Sequence, residues 1–186
     1  MKRSALFHLH KSQNAVFAEH QGWLVPSYFS VPEKELLAVQ TNVGLADVSY
    51  LSKFDLQSEP QRSGWRLGSN HYLMMGEQPV HPPSGAIDVS SVYTCLCLAG
   101  PRSRDVLNKL TSLNVSDVAL PNRSCGQTSV AHTYALIMRD DIGSILAFRI
   151  LVSREFGESV WESIIHAGHE FHLCSFGINT LMALLN

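Results

Sequence analysis

The alternation of apolar and polar positions is clearest in the second half of the chain. Ser91 to Leu98 alternates and is rich in β-formers, which predicts a strand. Gly100-Pro101 follows at once, with Gly100 near an N-cap and Pro101 at the first helical position. Val106, Leu107 and Leu110 then share one helical face. A loop with Pro121, Asn122 and Gly126 leads to a second strand over Thr128 to Met138. Asp140-Asp141-Ile142-Gly143 is turn chemistry and Ile145 to Val152 a third strand, so these two strands form a hairpin. Ser153 is placed to cap the next helix. Its Phe156, Val160, Trp161, Ile164 and Ile165 form an apolar stripe, and Gly168 suits its C-terminal end. A short strand at Phe171 to Cys174 completes the order β-α-β-β-α-β. The predicted class is therefore α+β, with a ferredoxin-like split βαβ half over about residues 86–176 packed against a smaller N-terminal α/β segment.

The N-terminal half is less regular. Ser30-Val31-Pro32-Glu33 fits a capping box with proline in the first turn. Glu35, Leu36, Val39 and Val43 follow at helical spacing, and the helix ends near Gly44. Leu51 to Gln57 alternates as a strand, and Ser58 to Gly64 is a loop. Trp65 to Leu67 and Tyr72 to Met75 are short strands around a Gly68-Ser69-Asn70 turn. His81-Pro82-Pro83-Ser84-Gly85 is the strongest breaker. It divides the chain into an N-terminal α/β part, 1–84, and a ferredoxin-like part, 85–186, which together form one domain.

Composition narrows the function classes. The 186 residues are 45% hydrophobic and 16% charged, which is globular and rather apolar. A net charge of −2 and a pI near 6.5 provide no basic field for nucleic acid or an acidic membrane. No apolar run approaches the roughly 18 residues of a membrane span. The start MKRSALFHLHKSQN is basic, but His8, His10 and Lys11 break the apolar run a signal peptide needs, so a cytoplasmic location is expected. Cys95, Cys97, Cys125 and Cys174 have no C-x-x-C spacing and are expected as free thiols, with Cys95 and Cys97 buried on one strand face. His166, His169 and His172 are spaced by three, but Gly168 ends the helix between them. A solvated helix end is expected there, and no metal site.

Motifs in order along the chain carry a resemblance. Phe17 to Phe54 contains Gly22-Trp23, Pro26, Val43-Gly44-Leu45, Asp47-Val48-Ser49 and Lys53. This resembles the opening of the glycine-cleavage aminomethyltransferases (T-proteins), with Tyr50-Leu51 in place of that family's His-Met. From Trp65 onward the chain is similar to the gamma subunit of heterotetrameric sarcosine oxidase. The matching stretches are Trp65-Arg66-Leu67-Gly68, Asp88-Val89-Ser90, Gly100 to Leu107, Cys125 to Thr128 and Phe148 to Val152. The related folate-binding proteins of iron–sulfur assembly match poorly at Ser124 to Thr128, where the spacing differs and the family's Glu is missing.

The resemblance implies tetrahydrofolate as ligand and names the candidate site. Asp47, Ser49, Tyr50 and Leu51 would line it, and Ile142 and Arg149 stand where the family has a pterin-binding Tyr and Glu. A guanidinium only donates hydrogen bonds and cannot replace that carboxylate. Asp47 and Ser49 also read as a turn that satisfies its own backbone. Asp88 is the one nameable catalytic base. It lies twelve residues before Gly100, however, the place of a structural Asp-x-Ser in the family, and it also reads as a turn residue. The segment bearing the family's catalytic aspartate and its C-terminal barrel are expected to be absent. Three functions follow. One is a folate-binding or partner-binding module without its own catalysis. The second is a minimal aminomethyltransferase moving a one-carbon unit to tetrahydrofolate. The third is a purely structural subunit of an oxidase-like complex. A homo-oligomer or partner subunit is expected, because the run Leu181 to Leu185 is apolar.

Overall fold

The structure, a computed structural model, describes residues 1–58, 60, 64–77, 82 and 84–185. Along the chain these form β1 (Lys2–Arg3), α1 (Phe7–Ser12), β2 (Val16–His20), β3 (Trp23–Tyr28), α2 (Pro32–Thr41), β4 (Gly44–Asp47), β5 (Ser52–Leu56), β6 (Trp65–Gly68), β7 (His71–Gly76) and β8 (Ile87–Asp88). Then come β9 (Tyr93–Ala99), α3 (Ser103–Asn108), β10 (Cys125–Val130), β11 (Thr133–Arg139), β12 (Ala147–Ser153), α4 (Gly157–Gly168), β13 (Cys174–Ser175) and α5 (Ile178–Leu185). The class is α+β, as the pattern predicts.

A six-stranded sheet in the order β10-β11-β12-β9-β4-β13 is the backbone of the fold, beside a four-stranded sheet β6-β7-β5-β8 and a three-stranded sheet β1-β3-β2. The β11–β12 hairpin and the β12–β9 neighbour relation follow the split βαβ order. The N-terminal strand β4 lies between β9 and β13, antiparallel to the first and parallel to the second. From the other side of the predicted boundary, β8 pairs with β5. Strands thus cross the line between residues 84 and 85 in both directions. Part of the breaker read there, His81 and Pro83, lies outside the described residues, as do residues 59 and 61–63 of the Ser58–Gly64 loop.

Period-two alternation sends the sheet's side chains into two cores. On β9, Leu96 and Leu98 join Phe148, Ile150, Val152, Val106, Leu107, Val160 and Trp161 under the helices. Cys95, Cys97 and Ala99 face the other way, with Leu136, Met138, Leu151, Trp65 and Leu73. Arg149 lies between Phe148 and Ile150 and opposite Cys97 in register, so it shares the second side. Trp161 is completely buried.

Glu35 joins the N- and C-terminal elements. It is 1% exposed. Its Oε1 accepts from the Phe29 and Ser30 backbone N–H groups at 2.6 and 2.8 Å, and its Oε2 from Gly177 N–H and the Thr180 hydroxyl at 3.0 Å each. Here the expected capping box is corrected. Ser30 makes no side-chain cap and Val31 is the N-cap of α2. The acid that closes this end is Glu35, two residues further in than Glu33.

Other boundaries shift for identifiable reasons. Gly100 has φ +123°, and a Cβ there would stand 2.6 Å from the carbonyl oxygens of Val39 and Asn42. Only glycine lets this turn approach the end of α2. Arg102, whose N–H bonds Asn42 O at 3.0 Å, is therefore the N-cap, and α3 begins after Pro101 rather than at it. The predicted strand Thr128 to Met138 is two strands. Ala131 and His132, at φ 49° and 65°, turn β10 back onto β11. Both turn residues are left-handed, as a two-residue hairpin demands, but neither is the Gly or Asn that would announce it. Ser153 makes no side-chain cap, and Arg154–Phe156 is a 3-10 turn before α4. Another 3-10 turn, His169–Phe171, extends α4, so the last strand starts only at Cys174. The apolar C-terminal run belongs to α5, packed on α2 and β3 with Leu181 buried and Leu185 exposed.

Candidate functional site

The sequence candidates separate into three groups. Asp47 and Ser49 form a buried turn at the end of β4. Ser49 N–H donates to Asp47 Oδ1 at 3.0 Å, and Cys95 N–H donates to Ser49 Oγ at 3.0 Å. His10 Nε2 stands 3.3 Å from Asp47 Oδ2, with its ring edge-on to Trp161 at 4.6 Å. Burial works against the Asp47 charge, but His10, Ser4 and Ser49 together hold its carboxyl below the ordinary value. Asp47 Oδ1 and Ser49 Oγ are thus bonded, while Asp47 Oδ2 and both ring nitrogens of His10 are buried without a hydrogen-bond partner among the described residues. None of Asp47, Ser49 and His10 lines the cleft formed by the next group.

Tyr50, Leu51, Ile142 and Arg149 do come together. They line a cleft of about 280 Å³ with Trp65, Met75, Gly76, Glu77, Arg123, Asp140, Leu181 and Leu185. The loop carrying Tyr50 and Leu51 is held from beneath. Lys53 is fully buried, and its ammonium donates to Ser49 O at 3.0 Å and Leu51 O at 2.8 Å. Burial lowers the Lys53 pKa. Ile142 sits at the β11–β12 turn, where it exchanges backbone hydrogen bonds with Ile145 at 2.9 Å each way. Burial, and after it Glu77, pushes the Tyr50 phenol up. Its hydroxyl donates to Glu77 Oε1 at 3.4 Å.

The charges in the cleft are arranged around Asp140. Arg123 Nη1 donates to Asp140 Oδ1 at 2.5 Å and Arg149 Nε to Asp140 Oδ2 at 2.8 Å. The Arg123 guanidinium also lies over the Trp65 ring, 4.7 Å from its centre. Burial works against the Arg149 charge, yet the Cys97 and Cys95 sulfurs and Asp140 raise its pKa above the ordinary value. Sequence reading missed Arg123, Asp140, Glu77 and Trp65. They lie far apart in sequence, and Asp140 looks like any turn residue until the hairpin places it between two arginines.

Asp88 is not among the lining residues. It is exposed at the sheet edge and paired in register with Phe54. Ser90 N–H donates to its Oδ1 at 2.8 Å, and the Ser90 hydrogen bonds hold its carboxyl below the ordinary value. This is the Asp-x-Ser turn geometry that its sequence position suggests. His166, His169 and His172 are exposed around the end of α4. Among the described residues, no group of three or more His, Cys, Asp or Glu side chains is placed to hold a metal.

A family model described as the GCVT N-terminal domain matches residues 68–185, well over half of the chain. The chain belongs to that family. The aminomethyltransferase of Halothermothrix orenii is 23% identical over 96% of this chain, and sarcosine oxidase subunit alpha of Rhizobium meliloti is 22% identical over 99%. This member of the family spans 62% of the first protein and 25% of the second. Among solved structures, the fold is similar to glycine cleavage system aminomethyltransferase T from Bartonella henselae. The TM-score is 0.80 at 15% identity, covering 99% of this chain and 62% of that one. It is also similar to a chain of heterotetrameric sarcosine oxidase from Corynebacterium sp. U-96, in complex with pyrrole 2-carboxylate. There the TM-score is 0.63 at 20% identity, covering 91% of this chain and 96% of that one. No helix among the described residues is long and apolar enough to cross a membrane.

Proposed function

We propose that this protein is a non-catalytic, folate-type small-molecule binder of the aminomethyltransferase family that works as a subunit, in one-carbon metabolism and in the cytoplasm. One observation carries the reading. The cleft gathers Tyr50, Leu51, Ile142 and Arg149, and both carboxylates lining it already accept hydrogen bonds from the protein. Asp140 is bonded to an arginine through each oxygen, and Glu77 is bonded to Tyr50 and to Gln21. Asp88, the only base nameable from sequence, lies elsewhere. The near-complete coverage of a sarcosine oxidase chain, 96% of its length, supports the subunit half of the reading.

Calorimetric titration with tetrahydrofolate and 5-formyltetrahydrofolate is the test. The expected result is binding in the micromolar range that Tyr50→Ala weakens. No binding at millimolar ligand would sink the folate reading and leave a purely structural subunit. Turnover of an aminomethyl donor, lost in Asp88→Asn, would instead establish a minimal aminomethyltransferase.

A further inference from the structure

The cleft holds one half-buried donor group that the protein leaves open. Arg149 uses only its Nε, toward Asp140 at 2.8 Å. Its two terminal nitrogens bond none of the described residues, and neither is sealed from solvent. The Arg149 side chain is 22% exposed against 50% for Arg123, so it is the deeper of the two. Removing a cation from water without a full set of acceptors is costly, and a guanidinium has five N–H donors and no acceptor of its own. The one carboxylate beside it is already shared with Arg123. Arg149, Arg123, Asp140 and Glu77 carry two charges of each sign, but Glu77 bonds Tyr50 and Gln21, so the Arg149 terminal nitrogens have no carboxylate partner among the described residues. A planar guanidinium with two free terminal nitrogens matches a carboxylate. Around it, Leu51, Trp65, Met75, Ile142 and Leu181 provide apolar wall. About 280 Å³ accommodates a ring and its acid group, just below the usual range for ligand pockets.

We propose that Arg149 receives the carboxylate of a ligand whose aromatic body lies against these apolar walls. The ligand enters acid end first, either as a free aromatic acid or as the benzoylglutamate end of a folate. The inference rests on reading the cleft as the ligand site, and it reverses the orientation in which a pterin ring would enter.

The experiment is calorimetry of the full chain with benzoate, benzamide, N-(4-aminobenzoyl)-L-glutamate and 5-formyltetrahydrofolate, repeated on Arg149→Gln. At least one acid is expected to bind about tenfold or more tighter than benzamide, a ratio that one charge-assisted hydrogen bond supplies. Arg149→Gln should abolish that preference. Benzoate binding without the aminobenzoylglutamate supports the free acid, and the converse supports the folate tail. Equal binding of benzoate, the aminobenzoylglutamate and benzamide by the wild-type protein overturns the proposal, even if the variant fails to fold. A preference that survives in folded Arg149→Gln overturns it too. The folate reading fails separately, if benzoate binds and 5-formyltetrahydrofolate does not. If 5-formyltetrahydrofolate binds wild type and Arg149→Gln equally, that reading stands and the carboxylate site falls.

Discussion

Glu35 and Arg149 are two ionisable side chains set into the same fold, and they are satisfied in opposite ways. Glu35 receives hydrogen bonds from Phe29, Ser30, Gly177 and Thr180, so α2 and α5 are fastened through one carboxyl group. Arg149 receives one partner for a group that has five donors. Interiors rarely leave polar groups unmatched. A fully bonded group therefore marks a structural junction, while a partly bonded one in an open cleft marks a place for something else. Position separates neighbours too: Ser49 bonds Asp47 and Cys95 in a buried turn, while Tyr50 and Leu51, next in sequence, line the cleft.

The sharpest way to break this comparison is to remove the junction. Glu35→Ala leaves the Gly177 N–H and Thr180 hydroxyl buried, and the Phe29 and Ser30 N–H groups part-buried, without their acceptor, and should lower unfolding stability by about 3 kcal/mol in urea titration. A loss no larger than that of an exposed substitution would mean the junction does not matter. Gly100→Ala tests the neighbouring backbone contact with α2. A Cβ at 2.6 Å from two carbonyl oxygens, at φ +123°, should cost about 3 kcal/mol and lower the melting temperature accordingly.

On the cleft side, Cys97 offers a pH test. Burial pushes its thiol from 9.0 up to about 12. The folded state thus keeps the proton longer than the unfolded chain. The stabilisation is fully present below pH 9.0 and is lost as pH rises toward about 12. In that window the thiol should make stability fall by up to about 1.4 kcal/mol per pH unit. Cys97→Ala should show a shallower fall in unfolding free energy, and identical slopes would refute the buried-thiol assignment. The smallest effect belongs to Arg149→Gln. Asp140 keeps Arg123, so the stability change should stay under about 1 kcal/mol by urea unfolding. A loss as large as that of Glu35→Ala would make Arg149 a second structural junction.

Much of the fold was legible because it rests on local periodicity. The alternation of Tyr93 to Ala99 and the stripe Val160, Trp161, Ile164 require only neighbours in sequence to specify a strand and a helix. The Ala131-His132 turn was not legible, since its left-handed backbone is imposed by the strands it joins. The N-terminal pieces β1, α1, β2 and β3 are short, and Lys2–Arg3 becomes a strand only because Trp23 and Leu24 lie beside it. In the site, resemblance picked out Tyr50, Leu51, Ile142 and Arg149, but gave no reason to add Glu77, Arg123 or Asp140.

The sequence by itself determined the α+β class, the strand at β9, the β11–β12 hairpin, the helix α4 and the motifs that carry the family resemblance. Those depend on residue type and spacing. Tertiary structure alone decided that β4 enters the sheet between β9 and β13, and that Glu35 rather than Glu33 closes α2. It alone decided that Asp88 stays outside a cleft where Arg149 keeps free donors. These outcomes follow from contacts between residues distant in sequence. Such contacts are set by how sheets and helices pack, and no local pattern encodes them.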